Sequence, residues 1–475
     1  MNVIIYDLTL LVIFLVFTSV FLYKKRANLK KDGLLFLYKT SRGIKIINNF
    51  AKKHKKLLDV LSYISIILGF VLMISVIYLF GKIVWLYIFH SEITKAIKIP
   101  PIMPLIPYLP QMFKITFLPP FYFVYWIIIL AVVAISHEFS HGIFAANKKV
   151  KIKSTGFGFF PFFCPVFLAA FVELDEKAME KKKVSHQMAI LSAGTFANIL
   201  TAIFFFAILA LFFMLTFNPA GVIYDTYIFS PVPISSVISI DNSLVTNLTY
   251  LQTISLVNQT GKSIIKTNNK TYFLTQDFLN FQENREPFIF LYENTSAINA
   301  DLSNTILMIN GNAVTSIDEL SSEIEKYSPG EKVYITGLEG EAFRDYPVVL
   351  GEDPSNNTKA YLGIGFIPKQ SSGLIGKVMN FISAFRDQEI YYLPKFEVAE
   401  FIYNLLWWLV MISLSVALVN MIPAGIFDGG RFFYLAMLGI TKNKTTSKKI
   451  SKILTYIFLF FVLIIMIAWA IGLFK

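Results

Sequence analysis

Long apolar runs alternate with short polar segments along this chain, and six of them are far longer than a soluble core needs. They are Ile4–Tyr23, Leu58–Phe89, Phe121–Ala145, Met188–Phe217, Ala399–Ile422 and Ile453–Phe474. A helix of about 20 apolar residues matches the hydrocarbon thickness of a bilayer, so each run predicts a transmembrane helix. Leu58–Phe89 exceeds that length and is expected to tilt or to continue into the interface. Ile4–Tyr23 is too long for a signal-peptide core and lacks both a basic leader and a small-residue cleavage site, so it reads as a retained anchor. Residues 156–172, GFGFFPFFCPVFLAAFV, are also apolar, but both flanks are basic. Both ends should therefore lie on one side, and the glycines, prolines and phenylalanine pairs favour a re-entrant or strand-like excursion covered by protein. Ile99–Phe121 holds seven prolines and predicts an extended or kinked connector.

Composition agrees with a polytopic helical membrane protein. Residues AVILMFWYC make up 55% and charged residues only 16%, too few to cover the surface of a soluble protein of 475 residues. The single cysteine, Cys164, excludes a disulfide framework and a cysteine metal cluster. The net charge of +12 raises nucleic acid as a partner, so its distribution matters. Lys24 to Lys56 carries 12 Lys/Arg and one acid, residues 146–187 carry 8 against 4, and 442–452 carry 5 Lys and no acid. Segment 218–398 carries 12 Lys/Arg and 20 Asp/Glu, a net −8. Basic loops stay in the cytoplasm. One topology satisfies all four segments: N-terminus outside, three basic loops inside, residues 218–398 extracytoplasmic. The charge is then a topology signal with anionic lipid headgroups as its partner, and no nucleic acid is expected.

The outside segment has the pattern of an α+β domain. ILMINGNAVTSIDELSSEIEKYSPGEKVYITG gives a strand, an Asn-Gly turn, an amphipathic helix opened by Ser316-Ile317-Asp318-Glu319, a Pro329-Gly330 turn and a second strand. Tyr361–Phe366 is a candidate closing strand, and residues 221–290 look β-rich. INGxxVxSxDEL followed by a PGxxV strand is similar to the second half of a PDZ domain, at about residues 290–366; Ser230-Pro231 with VISID resembles a degenerate PDZ start. The alternative is an unrelated small α+β domain. Sequons at Asn247, Asn258, Asn269, Asn294 and Asn356 fall in this segment, and Asn443 in a loop placed inside.

Ser136-His137-Glu138-Phe139-Ser140-His141, near the inside end of the third span, is an HExxH pattern. Histidines four apart share one helix face and can ligate one metal ion, while the glutamate beside them can take a proton from water at that metal. A catalytic zinc needs a third protein ligand and an open position. His54, His90 and His186 lie at boundaries or in basic loops, and Cys164 lies in the re-entrant stretch. Asp428, in Asn420-Met421-Ile422-Pro423-Ala424-Gly425-Ile426-Phe427-Asp428-Gly429-Gly430-Arg431, sits where an apolar helix is broken near the inside face. The third and fifth spans run in the same direction in the topology above, which brings Asp428 to the depth of the histidines. The competing reading of Asp428 is a turn paired with Arg431.

HEFSH on one span and NMIPAGIFDGG after a later one resemble the site-2 protease family of intramembrane zinc metalloproteases, whose pattern is HExxH with a distant Asn-x-x-Pro-x-x-x-x-Asp-Gly. Phe171-Val172-Glu173 and Ala193-Gly194-Thr195-Phe196-Ala197-Asn198 match further family motifs, with Thr195 standing where proline is usual. The resemblance covers residues 121–217 and 290–440. It implies one Zn2+ bound by His137, His141 and Asp428, with Glu138 as general base, and an outside PDZ-like insertion. Asn198 and Asn420 are candidates for contact with substrate backbone or the tetrahedral intermediate, or for helix–helix hydrogen bonding.

The expected organisation has four parts. Residues 1–120 hold the first two spans, a basic loop and the proline-rich connector; 121–217 hold the HExxH helix, the re-entrant element and the fourth span. Residues 218–398 form the extracytoplasmic domain and 399–475 the Asp-Gly motif with the last span. The expected activity is hydrolysis of peptide bonds within or near the membrane spans of single-span substrates, with the PDZ-like part recognising a peptide or substrate end. The cleft should open towards the cytoplasm. A metal transporter or sensor is a competing reading, but it predicts further ligands along a path that the sequence does not supply. A silent adaptor is another, and it leaves Glu138 without a purpose.

Overall fold

The computed structural model describes residues 3–26, 29–32, 35–90, 103–115, 118–159, 168–246, 249–258, 261–280, 282, 286–340, 342–367, 380 and 384–473. Cys164, Asn247 and residues 99–102 and 116–117 of the proline-rich connector lie outside the described residues. Among the described residues, six helices are long and apolar enough to cross a membrane. They are α1 (Val3–Lys24), α3 (Lys55–Phe89), α4 (Phe123–Asn147), α5 (Val184–Thr216), α7 (Ala399–Asn420) and α9 (Lys444–Leu473), each covering one of the expected spans. Three further helices bear on function: α2 (Arg42–Lys53), α6 (Ile317–Ile324) and α8 (Asp428–Thr441). The chain divides into a membrane unit, 1–211 with 400–475, and a unit of residues 212–399.

Small residues let the membrane helices approach closely. Ala189, Ser192 and Ala193 of α5 are at most 1% exposed, and the Ser192 hydroxyl meets that of Ser65 on α3 at 3.2 Å. Where lipid is as apolar as leucine, close packing and such hydroxyl contacts hold helices together. Met73, Phe144, Met188, Phe196, Met421 and Phe432 fill the core around them.

The described parts of the apolar stretch after α4 are two paired strands. Strands β3 (Ile152–Phe159) and β4 (Leu168–Leu174) pair antiparallel, Thr155 opposite Val172. They join β1 (Leu29–Asp32) and β2 (Leu35–Thr40) in a four-stranded sheet of order β1-β2-β3-β4. By its sequence, the segment of β1 and β2 is only a basic loop. Its Phe36-Leu37-Tyr38 faces a partner more than a hundred residues away, with Phe36 opposite Phe159. Phe21 of α1 packs on Tyr38 and Phe159, ring centroids 5.3 and 6.1 Å away. The basic segment 442–452 also differs from a loop. It forms the first turns of α9, because the Asn443 side chain accepts from the amides of Thr445 and Thr446 and caps the helix start.

An acid that the sequence analysis passed over fixes the start of α4. Asp7 on α1 is 3% exposed and accepts hydrogen bonds from Tyr108 Oη and from the backbone N–H groups of Phe123 (2.7 Å) and Val124 (2.8 Å). The first amides of a helix have no partner within it. Asp7 therefore acts as a cap supplied by another helix, which explains an ionisable residue in that span.

The unit of residues 212–399 holds two six-stranded sheets. One runs Ala342–Val349, Lys332–Glu339, Thr305–Ile309, Phe217–Ile223, Ile390–Pro394, with Asn312–Ala313 beside Thr305–Ile309. Asn310 and Gly311 take positive φ (47° and 82°) in the tight turn, and Ser316 caps α6 through the Glu319 amide. Tyr361–Phe366 does not extend this sheet: Ile364–Gly365 pairs with Thr226–Tyr227. The strand at that place is Phe217–Ile223, which immediately follows α5 and pairs with the strand that leads back to α7. Residues 229–293 form the second sheet around a core that includes Val232, Ile240, Ile265, Leu274, Ile289 and Leu291.

Replacing Asp7 with alanine should lower the thermal unfolding midpoint in detergent, with a loss of about 1–3 kcal/mol from the orphaned amides and hydroxyl. Asp7→Asn should recover part of it. An unchanged midpoint in both variants would mean that Asp7 does not hold α4.

Candidate metal centre

Two helices and one helix start converge on a single point in the membrane unit. His137 and His141 lie one turn apart on α4, 8% and 9% exposed, with Nε2 atoms 3.1 Å apart. Asp428 Oδ2 lies 3.4 Å from His137 Nε2 and 3.2 Å from His141 Nε2. The three atoms form a nearly equilateral triangle. In a tetrahedral zinc site with bonds of about 2.0–2.1 Å, ligand atoms stand about 3.3–3.4 Å apart. The triangle therefore has the dimensions of one face of such a site, and these residues fit a single metal ion.

The surroundings set the imidazoles for ligation. His141 Nδ1 lies 2.7 Å from the Ile190 carbonyl oxygen, which can only accept, so Nδ1 carries the proton and Nε2 keeps its lone pair. His137 Nδ1 lies 3.0 Å from the amide of Asn198, a residue with no exposed surface. For His137 Nε2 to ligate, Asn198 must present its amide oxygen to Nδ1–H, and Oδ1 is indeed a buried atom without a partner in the opposite amide orientation. Gly194, one turn before Asn198, leaves room for the rings. A Cβ there would stand 2.5 Å from His141 Nε2 and 2.6 Å from His137 Nε2.

Asp428 is the first residue of α8, after Phe427 in extended conformation. A carboxylate in the first turn is stabilised by the helix dipole. The following glycines allow α8 to start against the broken end of α7: a Cβ at Gly429 would stand 2.4 Å from the Met421 carbonyl carbon, and one at Gly430 2.3 Å from the Ala424 oxygen. Arg431 does not pair with Asp428; its guanidinium lies 3.7 Å from Glu176.

Glu138 accepts a 3.0 Å hydrogen bond from the Val172 amide of β4. That N–H points away from β3, so the outer edge of β4 faces α4. Glu138, His141 and Asp428 together line a cleft of ≈ 860 Å³ whose rim includes Lys153, Glu173, Lys177 and Arg431. Lys39, 2.5 Å from Glu173, and the Ser154 hydroxyl hold the Glu173 carboxyl below the usual carboxylate range.

Among the described residues, Asn420 ends α7 half-buried, outside the cleft lining and without a hydrogen bond to His137, His141 or Asp428. His54 packs against Phe50 and His90 against Trp85 with tilted rings, and His186 lies in the first turn of α5, none of them in the metal-ligand group. Thr195, where proline was expected, continues α5 and donates to the Ser192 carbonyl at 2.9 Å. Two contributors were not singled out from sequence. Gly194 stood within the quoted AGTFAN motif, whereas the Ile190 carbonyl is a backbone atom that no residue type reveals.

Replacing Gly194 with alanine should cut the metal content well below one ion per chain, measured by elemental analysis of the purified protein. Asn198→Ala should weaken metal affinity by about 10–100-fold in chelator competition. Unchanged affinity in the second variant would mean that Asn198 does not orient His137.

Comparison with protein families places this geometry. The Peptidase family M50 profile matches residues 125–465, a span that contains all but the first two residues of α4, all of α5 and α8, and all three candidate ligands. No curated protein matches the chain. The match extends over more than half of the sequence, and with six apolar helices it makes the protein a multi-pass membrane protein that belongs to Peptidase family M50, the site-2 protease family of intramembrane metalloproteases.

Proposed function

We propose that the protein is a zinc metalloendopeptidase that cuts peptide bonds within or near the membrane spans of single-span proteins. The observation that carries this is the His137–His141–Asp428 triangle, with His141, Asp428 and Glu138 lining one cleft of the membrane unit. A bound zinc ion supplies Lewis acidity, which makes water nucleophilic near neutral pH and polarises the substrate carbonyl. His137, His141 and Asp428 are the residues that would hold it. Glu138 takes the proton from the attacking water and returns it to the leaving amine nitrogen, the two tasks of a general base that becomes a general acid. The Val172 amide keeps the Glu138 carboxylate pointed into the cleft.

A substrate helix hides its peptide bonds and must unwind to be cut. The outer edge of β4 runs past Glu138 and offers backbone groups to an extended segment, as strand addition requires. Asn198 acts through His137 in this reading; Asn420 is left as a polar group for the substrate backbone.

The distribution of charge supports a cleft that opens towards the cytoplasm, with residues 218–398 outside. There, the sheet-and-helix unit that resembles a PDZ domain would recognise a substrate end.

Glu138→Gln should retain one zinc per chain and lose cleavage of a single-span substrate in liposomes by about 10²–10⁴-fold. Zinc content and cleavage are measured on the same preparation. Undiminished cleavage would remove Glu138 from the mechanism; a wild type that binds zinc and cuts none of several substrates would overturn the protease reading.

A further inference from the structure

Helix α2, between the first two spans, has an apolar arc that protein covers only in part. Gly43, Ile47 and Ala51 are buried, and they face α4 and β3. Ile46 and Phe50, four residues apart on the adjoining flank, are 62% and 45% exposed; Leu57, just beyond on α3, is 54% exposed. Cations border this flank. From Arg42 to Lys56 there are six Lys/Arg and no acid, and Lys45, Lys52 and Lys53 are exposed. A helix with an apolar stripe edged by lysines lies in the bilayer interface and takes anionic headgroups. Its position agrees, because α3 starts two residues after α2 and is long and apolar enough to cross a membrane.

The buried side of the same helix touches the metal-bearing helix. Ile47 has no exposed surface, and its Cδ1 would stand 2.9 Å from a Cβ at Gly142, the residue after His141. Val172 Cγ1 would stand 3.2 Å from that Cβ, and the Val172 amide holds Glu138. Ile47, Gly142, Val172 and Glu138 thus form one contiguous set of contacts from α2 to the cleft.

We propose that α2 is a docking surface for anionic lipid headgroups, and that its seating in the interface holds α4 and β4 in the geometry that the cleft needs. The headgroups neutralise Lys45, Lys52 and Lys53, while Ile46, Phe50 and Leu57 enter the acyl boundary. Bilayer composition then tunes the site through Ile47. The effect on cleavage rests on the protease reading; the binding itself does not.

The test uses the full chain with Cys164→Ser and a polarity-sensitive dye on Asn49→Cys, in vesicles of phosphatidylcholine alone or with phosphatidylglycerol. Phosphatidylglycerol should deepen the dye, read as increased quenching by a shallow spin-labelled lipid. High salt should reverse the effect. Combined Lys45→Gln, Lys52→Gln and Lys53→Gln should abolish the difference between vesicles and lower cleavage at least about threefold in phosphatidylglycerol only. Metal content and melting midpoint should stay at wild-type values, since these side chains are exposed. Equal quenching in both vesicles, indifferent to the substitutions, would overturn the proposal. So would an equal response to polyglutamate in phosphatidylcholine, which would assign the surface to an acidic protein partner. Lipid-dependent quenching without any effect on cleavage by an active wild type would overturn the coupling through Ile47.

Discussion

Three lone-pair-bearing atoms are held within 3.4 Å of one another in a bundle whose other buried groups are mostly apolar. Groups that repel and are costly to bury stay together only where a cation compensates them and the surroundings fix their directions. Much of the membrane unit around the site answers that requirement. The Ile190 carbonyl and the Asn198 amide hold the outer nitrogens of the two rings, Gly194 leaves the space in front of them, and the start of α8 presents the carboxylate. None of these supports is itself a ligand, yet each limits where the ligands can point.

The same logic extends outwards to the elements that hold α4. At its start, Asp7 from α1 closes two open amides; near its other end, Gly142 receives Ile47 from α2 and Val172 from β4. The helix that carries the two histidines is thereby gripped by α1 and α2, far before it in the chain, and by β4 after it. The first spans, which carry no diagnostic motif, are structural partners of the site rather than accessories.

The edge of β4 joins this mechanical role to the chemistry. Its Val172 amide positions the proposed base, and its outer edge is where an unwound substrate would be paired. In the proposed reading, one short strand would supply both the orientation of Glu138 and a template for the peptide bond to be cut.

The sequence by itself determined the class of molecule. Apolar runs longer than any soluble core requires predict spans from composition alone, and all six stand as helices. The HExxH spacing also needed no structure, because residues four apart in a helix share a face. Asp428 was legible for a different reason: proline and paired glycines mark a break that exposes a carboxylate. What only the tertiary structure decided are contacts between residues distant in sequence. Strands β1 and β2 look like a basic loop until β3 stands beside them, and Asp7 looks like an anomaly in a span until the open amides of Phe123 and Val124 meet it. The strand beside Thr305–Ile309 is Phe217–Ile223, not Tyr361–Phe366, and that pairing joins residues more than eighty positions apart. Local pattern specifies helices and turns because their hydrogen bonds close within a few residues. Sheet order, trans caps and the orientation of a ligand's outer nitrogen depend on partners that no local pattern contains.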